Sequence, residues 1–401
     1  VPVDPGTRAE GVDWEAFDAA VVDHMERACI PGLSLALVDA DGEQFSAAYG
    51  WADIKEETPL TVDTPFMVAS ASKMVVGLSL VLAQAEGHLD LWDHVDRHVD
   101  GRIVNPRIGT PAPPVRLAHL ATHTSGIRDN WAVLDALYGP GDPAAPLGWF
   151  LEQYLQPGGR WYSGSRNFYR WAPGDAWMYS NVGAALAAHA VAGATGARFK
   201  DYTTDRFFGP LGMEHTAWFL EDLEDLEDLE DLEDLEAHGI SAARPHTFTA
   251  DGDWRVARHY GFPTWPDGQL RSTAGDMGRL LTLALAGGTV HGVEILPRSA
   301  VEALDRRPLG DLSAWYLEDY MTEQRVFWFD MDLGQRRLTG HDGDDLGVSS
   351  EVFYDRDTRV GVVVLMNLAD CERDCEPRAA TADIQQRLYR IGAGLRGEDS
   401  P

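Results

Sequence analysis

Two residues with complementary chemistry stand three apart in TPFMVASASKMVVGLSLVLAQAEG, residues 64–87: Ser70 and Lys73. The run behind them is apolar, with Met74, Val75, Leu78, Val81 and Leu82, so the spacing predicts a core helix that begins at this point. On a helix, positions three apart share a face, which brings the amine within reach of the hydroxyl. A serine at a helix N-terminus feels the positive end of the macrodipole, which favours an alkoxide-like oxygen. Burial penalises an ammonium, lowers its pKa and turns the lysine into a usable base. The pair then reads as a nucleophile with its own proton acceptor. The competing reading of this stretch is an N-cap serine beside a lysine that snorkels to water.

Two further stretches bear on the choice. WAPGDAWMYSNVGAALAAHAVAGATG (171–196) places Tyr179 and Asn181 on a loop leading into a second apolar helix. RRLTGHDGDDLGVSSEVFYD (336–355) places His341 and Gly343 at the end of a strand. Ser70-Ala71-Ser72-Lys73, Tyr179-Ser180-Asn181 and His341-Asp342-Gly343 resemble, in order, the S-x-x-K, Y-x-N and K-T-G (or H-x-G) motifs of penicillin-recognising serine hydrolases. That family spans class C β-lactamases, DD-peptidases, D-aminopeptidases and family VIII carboxylesterases. Connecting phrases such as RLAHLATHTSGI, FFGPLGMEHTAW and LRSTAGDMGRLLTLALAGG are similar to family phrases, and the likeness covers roughly residues 14–392.

The resemblance implies that Ser70 attacks a carbonyl to form an acyl-enzyme, with Lys73 and Tyr179 sharing base and proton-shuttle duties. It implies that Asn181 donates to the substrate amide and that the backbone N–H groups of Ser70 and Asp344 form an oxyanion hole. Gly343 fits a strand along which substrate lies. No cofactor and no metal are implied; the partner is a small-molecule ester, amide or peptide-like substrate. The third motif departs from the common form. His341 stands for a fixed positive charge, and Asp342 stands where Thr or Ser helps hold a substrate carboxylate. Asp342, with Asp344 and Asp345, is expected to repel anionic ligands and to favour neutral or cationic ones. An imidazole at 341, titrating near its ordinary 6.5, is expected to impose a pH response between about 5 and 8. Esterase or D-amino-acid amidase or peptidase chemistry is therefore favoured; a true class C-like β-lactamase or DD-carboxypeptidase, and a non-catalytic binding protein that keeps the fold, are the alternatives.

The elements that must position these residues follow from hydrophobic period. Residues 13–29 read as an amphipathic helix, and LSLALVDADGEQFSAAYGWAD as a β-hairpin turning at Asp41-Gly42. Short β-rich runs return in RVFWFDMDL, VSSEVFYD and RVGVVVLMN, followed by a helix in AATADIQQRLYRIG. The expected fold is α/β plus all-α, β-lactamase/transpeptidase-like, with a five-stranded antiparallel sheet flanked by helices. The α/β region takes residues 10–66 and 241–395; a mainly helical region, 67–240, carries S-x-x-K and Y-x-N. An acidic repeat, EDLEDLEDLEDLEDLE at 221–236, has a three-residue period that makes no continuous helical stripe, and reads as a solvated insertion.

Composition bounds the rest. The 401 residues carry a net charge of −31, about a third of it in that repeat, which argues against nucleic acid or an anionic membrane as partner. No apolar run is long enough to span a bilayer. The three cysteines, Cys29, Cys371 and Cys375, make no disulfide framework. Cys371 and Cys375 either close a small bridge or remain free thiols. The opening VPVDPG fits a trimmed signal segment, so export is expected. His119 and His123, four apart, are a weak metal pair without the Glu of H-E-x-x-H. Ser125 in HTSG reads as a loop-fixing hydroxyl. Of the aromatic residues between 131 and 171, about half are expected to pack in the helical region and the rest to roof the site.

Overall fold

The computed structural model describes residues 1–223, 242–308, 317, 319–373 and 375–397. The acidic repeat, from Glu224 onward, lies outside the described residues.

One antiparallel sheet organises the chain. Its strands are β1 (Val3–Arg8), β2 (Gly32–Asp39), β3 (Gly42–Asp53), β4 (Met321–Gln324), β5 (Phe329–Leu333), β6 (Arg336–Asp345), β7 (Val348–Asp355) and β8 (Val360–Met366). They lie in the order β1-β3-β2-β8-β7-β6-β5-β4, with the short strand Thr58–Pro59 beside β3. The sheet is thus wider than the expected five strands. The extra edge strand β1 reads VDPGTR, whose Pro5 and Gly6 disguise it in sequence; proline is tolerated at an edge because no partner needs its missing N–H. At the other edge, the run expected as one strand breaks at Phe327, whose φ is +57°, into the β4–β5 hairpin.

The sheet joins the two ends of the chain through β2 and β8, where Leu35 pairs with Val364. Alternation divides its side chains between two cores. Leu33, Leu35, Leu37, Val362 and Val364 pack with α1 (Trp14–Arg27) and the C-terminal helix Pro377–Leu395. Ala36, Val38, Val363 and Leu365 face the larger core, which contains α2 (Lys73–Ala85), α3 (Asn181–Thr195) and α4 (Ala274–Leu285). The C-terminal helix is α5. No helix among the described residues is long and apolar enough to cross a membrane.

Helix α2 is the centre of the larger core, buried all round from Lys73 to Ala83. Its first residue is Lys73 itself, because Ala69–Ser72 form a 3₁₀ turn ahead of it. Ser70 therefore sits on that turn and not inside the helix. Cys29, Cys371 and Cys375 are free thiols; burial and the neighbouring Cys29 and Cys371 push the Cys375 thiol up.

Leu78 is fully buried on α2. Leu78→Ala is expected to cost about 2–5 kcal/mol through lost contacts and a residual cavity. Urea unfolding monitored by circular dichroism measures this; an unchanged midpoint would contradict the central burial of α2.

Candidate active site

The turn that carries Ser70 is pinned by three hydrogen bonds. Val68 N donates to Leu270 O at 2.8 Å, and Leu270 N donates to Ser72 Oγ at 3.1 Å. From the sheet, Ser350 Oγ on β7 donates to Val68 O at 2.6 Å. On β6, Gly343 leaves room for the turn: a Cβ there would lie 2.5 Å from Val68 O and 2.7 Å from Ser70 N. Ala69 takes the left-handed conformation, φ +46°, at a cost of about 1–3 kcal/mol that the surrounding contacts hold in place.

Lys73 is 0% exposed. Its Nζ donates to Ser70 Oγ at 3.0 Å and to the backbone oxygen of Asp267 at 2.5 Å, and lies 4.9 Å from the centre of the Tyr179 ring. Burial lowers its pKa to about 8, opposed by the charges of Asp267, Asp129, Asp345 and Asp342. The amine is thus dry, neutral in part near pH 8, and in hydrogen-bond contact with the hydroxyl.

Tyr179 stacks on His123, with ring centroids 4.3 Å apart, and lies 6.2 Å from the His341 ring. Its hydroxyl is buried, and among the described residues it has no partner at hydrogen-bonding geometry. Burial pushes its pKa well up; the Ser70 hydroxyl is the group opposing that rise. Asn181 opens α3 and borders the same cavity as Ser70. The start of α3 is fixed by Asp129, a buried carboxylate that accepts from Ser180 Oγ (3.1 Å), Asn181 N (2.8 Å) and Val182 N (3.1 Å). An anion at this helix end satisfies backbone donors that have no partner within the helix.

His341 lies within β6, which continues to Asp345, and not at a strand end. It is 3% exposed. Burial first, then the Lys73 charge, lowers its pKa to about 3. The imidazole is accordingly neutral throughout the working range, which corrects the expectation that it titrates between pH 5 and 8 and supplies positive charge. The groups at the cavity whose pKa falls in or beside that range are Asp267, pushed up to about 7 by burial, and Lys73 at about 8.

Asp342 also departs from expectation. Strand alternation puts it on the side of β6 that faces α5, where it lines a separate cavity of about 550 Å³ with Glu351 and Arg378. Its charge reaches Lys73 and Tyr179 from behind the strand, but it does not line the cavity at Ser70. Asp344 borders both cavities and pairs with Arg378. The acidic residues lining the Ser70 cavity, of about 410 Å³, are thus Asp135, Asp267, Asp344 and Asp345.

Sequence reasoning did not reach Asp129, His123 or Asp267 as parts of this site, whereas Asp345, expected there, does line the cavity. His123 accepts from Ser180 N at 3.2 Å through Nδ1, and burial holds it well below its ordinary pKa. His119 accepts from Arg116 N at 3.1 Å, so the two histidines serve separate loops. Among the described residues no group of His, Cys, Asp and Glu is arranged to hold a metal ion. Ser125 Oγ accepts from Ile127 N within its loop. Of the aromatic residues, Trp131 and Tyr138 line the Ser70 cavity, while Phe150, Tyr154 and Phe168 are buried in the core.

Comparison with known proteins gives the family. The family model described as Beta-lactamase matches residues 17–386. The chain belongs to the β-lactamase family of serine hydrolases. It is 29% identical over 172 residues to penicillin-binding protein 4* of Bacillus subtilis (strain 168), covering 43% of this chain and 34% of that one. It is 32% identical over 190 residues to a D-aminopeptidase of Brucella anthropi, covering 46% and 32%. The matches thus span about a third of these relatives' length. The fold is that of D-amino acid amidase from Ochrobactrum anthropi SV3, solved in complex with L-phenylalanine amide, at TM-score 0.67 and 20% identity, covering 95% of this chain and 99% of that one. It is likewise that of the octameric penicillin-binding protein homologue from Pyrococcus abyssi, at TM-score 0.66 and 20% identity, covering 97% and 78%.

The lowered Lys73 pKa has a definite sign. The amine must be neutral to accept a proton, so kcat/KM for an ester is expected to rise with pH through about 8. His341→Gln is expected to leave that limb in place; a shift of the limb by a full pH unit would show that the imidazole carries charge. Gly343→Ala is expected to lower kcat/KM about 10²-fold or more by displacing the strand from the Ser70 amide, with the fold retained by circular dichroism.

Proposed function

We propose that the chain hydrolyses esters or amides through an acyl-enzyme on Ser70, and that its substrates are neutral or cationic. The observation that carries this reading is the buried Lys73 amine, 3.0 Å from Ser70 Oγ and lowered to about 8. In the proposed sequence Lys73 takes the Ser70 proton as the oxygen attacks the substrate carbonyl. Tyr179, held protonated by burial, is the proton donor for the leaving group. The Ser70 and Asp344 backbone N–H groups receive the developing oxyanion, and Asn181 orients the substrate from the head of α3. Water then releases the acyl group by the reverse proton path.

Substrate charge follows from the cavity. With His341 neutral, the third motif offers no fixed cation to a ligand carboxylate. Asp267 and Asp345 face the cavity; burial pushes Asp267 up to about 7 and raises Asp345, so the repulsion of a ligand carboxylate a few ångströms away, about 1–4 kcal/mol when they are ionised, grows as pH rises. This supports esterase or D-amino-acid amidase or peptidase activity over hydrolysis of anionic β-lactams. A binding protein that merely kept the fold would have no use for an amine buried at the cost of several kcal/mol.

A fluorophosphonate probe is expected to add to Ser70, located by peptide mass, with no adduct in Ser70→Ala. Lys73→Ala is expected to reduce p-nitrophenyl ester hydrolysis about 10³-fold. Labelling at another serine, or turnover of nitrocefin above that of neutral esters, would overturn the reading.

A further inference from the structure

The chain holds three cysteines in 401 residues, at positions 29, 371 and 375, and the fold brings their thiols to one place. Cys29 follows α1. Ile30 N donates to Met25 O at 2.9 Å, which closes the helix end with Cys29 in the left-handed conformation, φ +53°. Glycine is the usual residue at that position, so a side chain is kept there against a conformational cost. Cys371 ends the short strand Leu368–Cys371, which runs parallel to His246–Phe248. A tight turn follows, in which Cys375 N donates to Arg373 O at 2.8 Å, and α5 begins at Pro377. Helices α1 and α5 share the smaller core, and the thiols meet where one helix has ended and the other is about to begin. Cys375 is the middle member, its side chain in hydrogen-bond contact with both Cys29 and Cys371. All three residues are half-buried, so a small reagent reaches them.

We propose that the three thiols are a disulfide site in which Cys375 is the common member, bonding either to Cys371 in its own loop or to Cys29 at the end of α1. The oxidant is a small-molecule disulfide such as glutathione disulfide. One cysteine thiolate attacks a sulfur of that disulfide and expels a thiolate; a second cysteine thiolate attacks the mixed disulfide and expels the other. The protein gives up two protons and two electrons and gains one S–S bond, while the oxidant's S–S bond is cleaved to two thiols. Three thiols make one bond and leave one over, which can attack the Cys375 sulfur and move the bridge. The two bridges differ in what they constrain. Cys371–Cys375 closes only the loop ERD, whereas Cys29–Cys375 ties α1 to the approach to α5 and closes nearly the whole chain, restricting the unfolded state far more. Ala369, two residues before Cys371 on the same strand, borders the Ser70 cavity, so the bridge anchors a segment that continues into that wall. The proposal stands apart from the Ser70 reading, since none of its steps involves the nucleophile.

Trypsin separates the three cysteines onto peptides 28–55, 360–373 and 374–378, so each bridge is read directly. The protein is reduced, incubated with glutathione disulfide at about pH 8, where ordinary thiols are partly ionised, then alkylated and mapped without reduction. One internal bridge and one alkylated thiol are expected, with the mass before alkylation lower by two hydrogens and peptide 374–378 in every bridge. Cys29→Ser and Cys371→Ser are each expected to keep a bridge through 374–378, and Cys375→Ser to form none while its circular dichroism matches the parent. Three alkylated thiols in the parent protein, covalent dimers in place of an internal bridge, or a bridge joining 28–55 to 360–373 would each overturn the proposal. These outcomes are read in the parent protein, whether or not Cys375→Ser folds. Loss of the bridge in Cys29→Ser or Cys371→Ser would overturn it too, by denying Cys375 one of its two partners.

Discussion

A primary amine held entirely out of water is the constraint on which the site depends. Removing an ammonium from solvent costs several kcal/mol, and the structure offsets this with two hydrogen bonds, an aromatic face and nearby carboxylates. Each of those partners must be in place before Lys73 is tolerable, and each arrives on a different element. The Ser70 turn precedes α2, Asp267 ends a 3₁₀ turn, and Tyr179 leads into α3. The pinning of Val68 by Leu270 and Ser350, and the absence of a side chain at Gly343, bring these elements to one point.

The electrostatics around that amine are layered. Next to it are groups that burial keeps uncharged: the Tyr179 phenol and the imidazoles of His123 and His341. Beyond them lie carboxylates on several elements, Asp129 under α3, Asp342 behind β6, and Asp267 and Asp345 on the cavity wall. The neutral layer limits repulsion between neighbours, and the acidic layer keeps Lys73 from falling further below its ordinary range. This opposition places its pKa at about 8, where a modest change of pH alters the fraction of free base.

What sequence conveyed and what it withheld have separate physical origins. The three motifs were legible because each combines residue types that core helices and strands otherwise avoid, such as lysine in the apolar run 64–87. The sheet hairpin was legible from alternation in LSLALVD. The roles of Asp342 and Asp345 were not separable, since a one-residue difference in strand parity decides which face a side chain occupies. His341 was misjudged because its pKa is set by burial against Lys73, a contact made only in three dimensions. Asp129 and Asp267 left no trace in spacing: both act on partners far along the chain, in loops whose composition is ordinary for turns.

The pairing of β2 with β8 also bears on assembly. Strand β2 is synthesised early, yet its neighbour β8 is supplied by the last quarter of the chain, along with β6, which carries Gly343 to the Ser70 turn. Contacts this distant in sequence are slow to form because loop closure must precede them. A nascent or truncated polypeptide holding α2 and α3 but not β6–β8 therefore has its nucleophile, its amine and its tyrosine without the wall that assembles them. Chemistry becomes possible only when the closing strands arrive, and until then the apolar faces of these helices lack the sheet that covers them and are prone to aggregation.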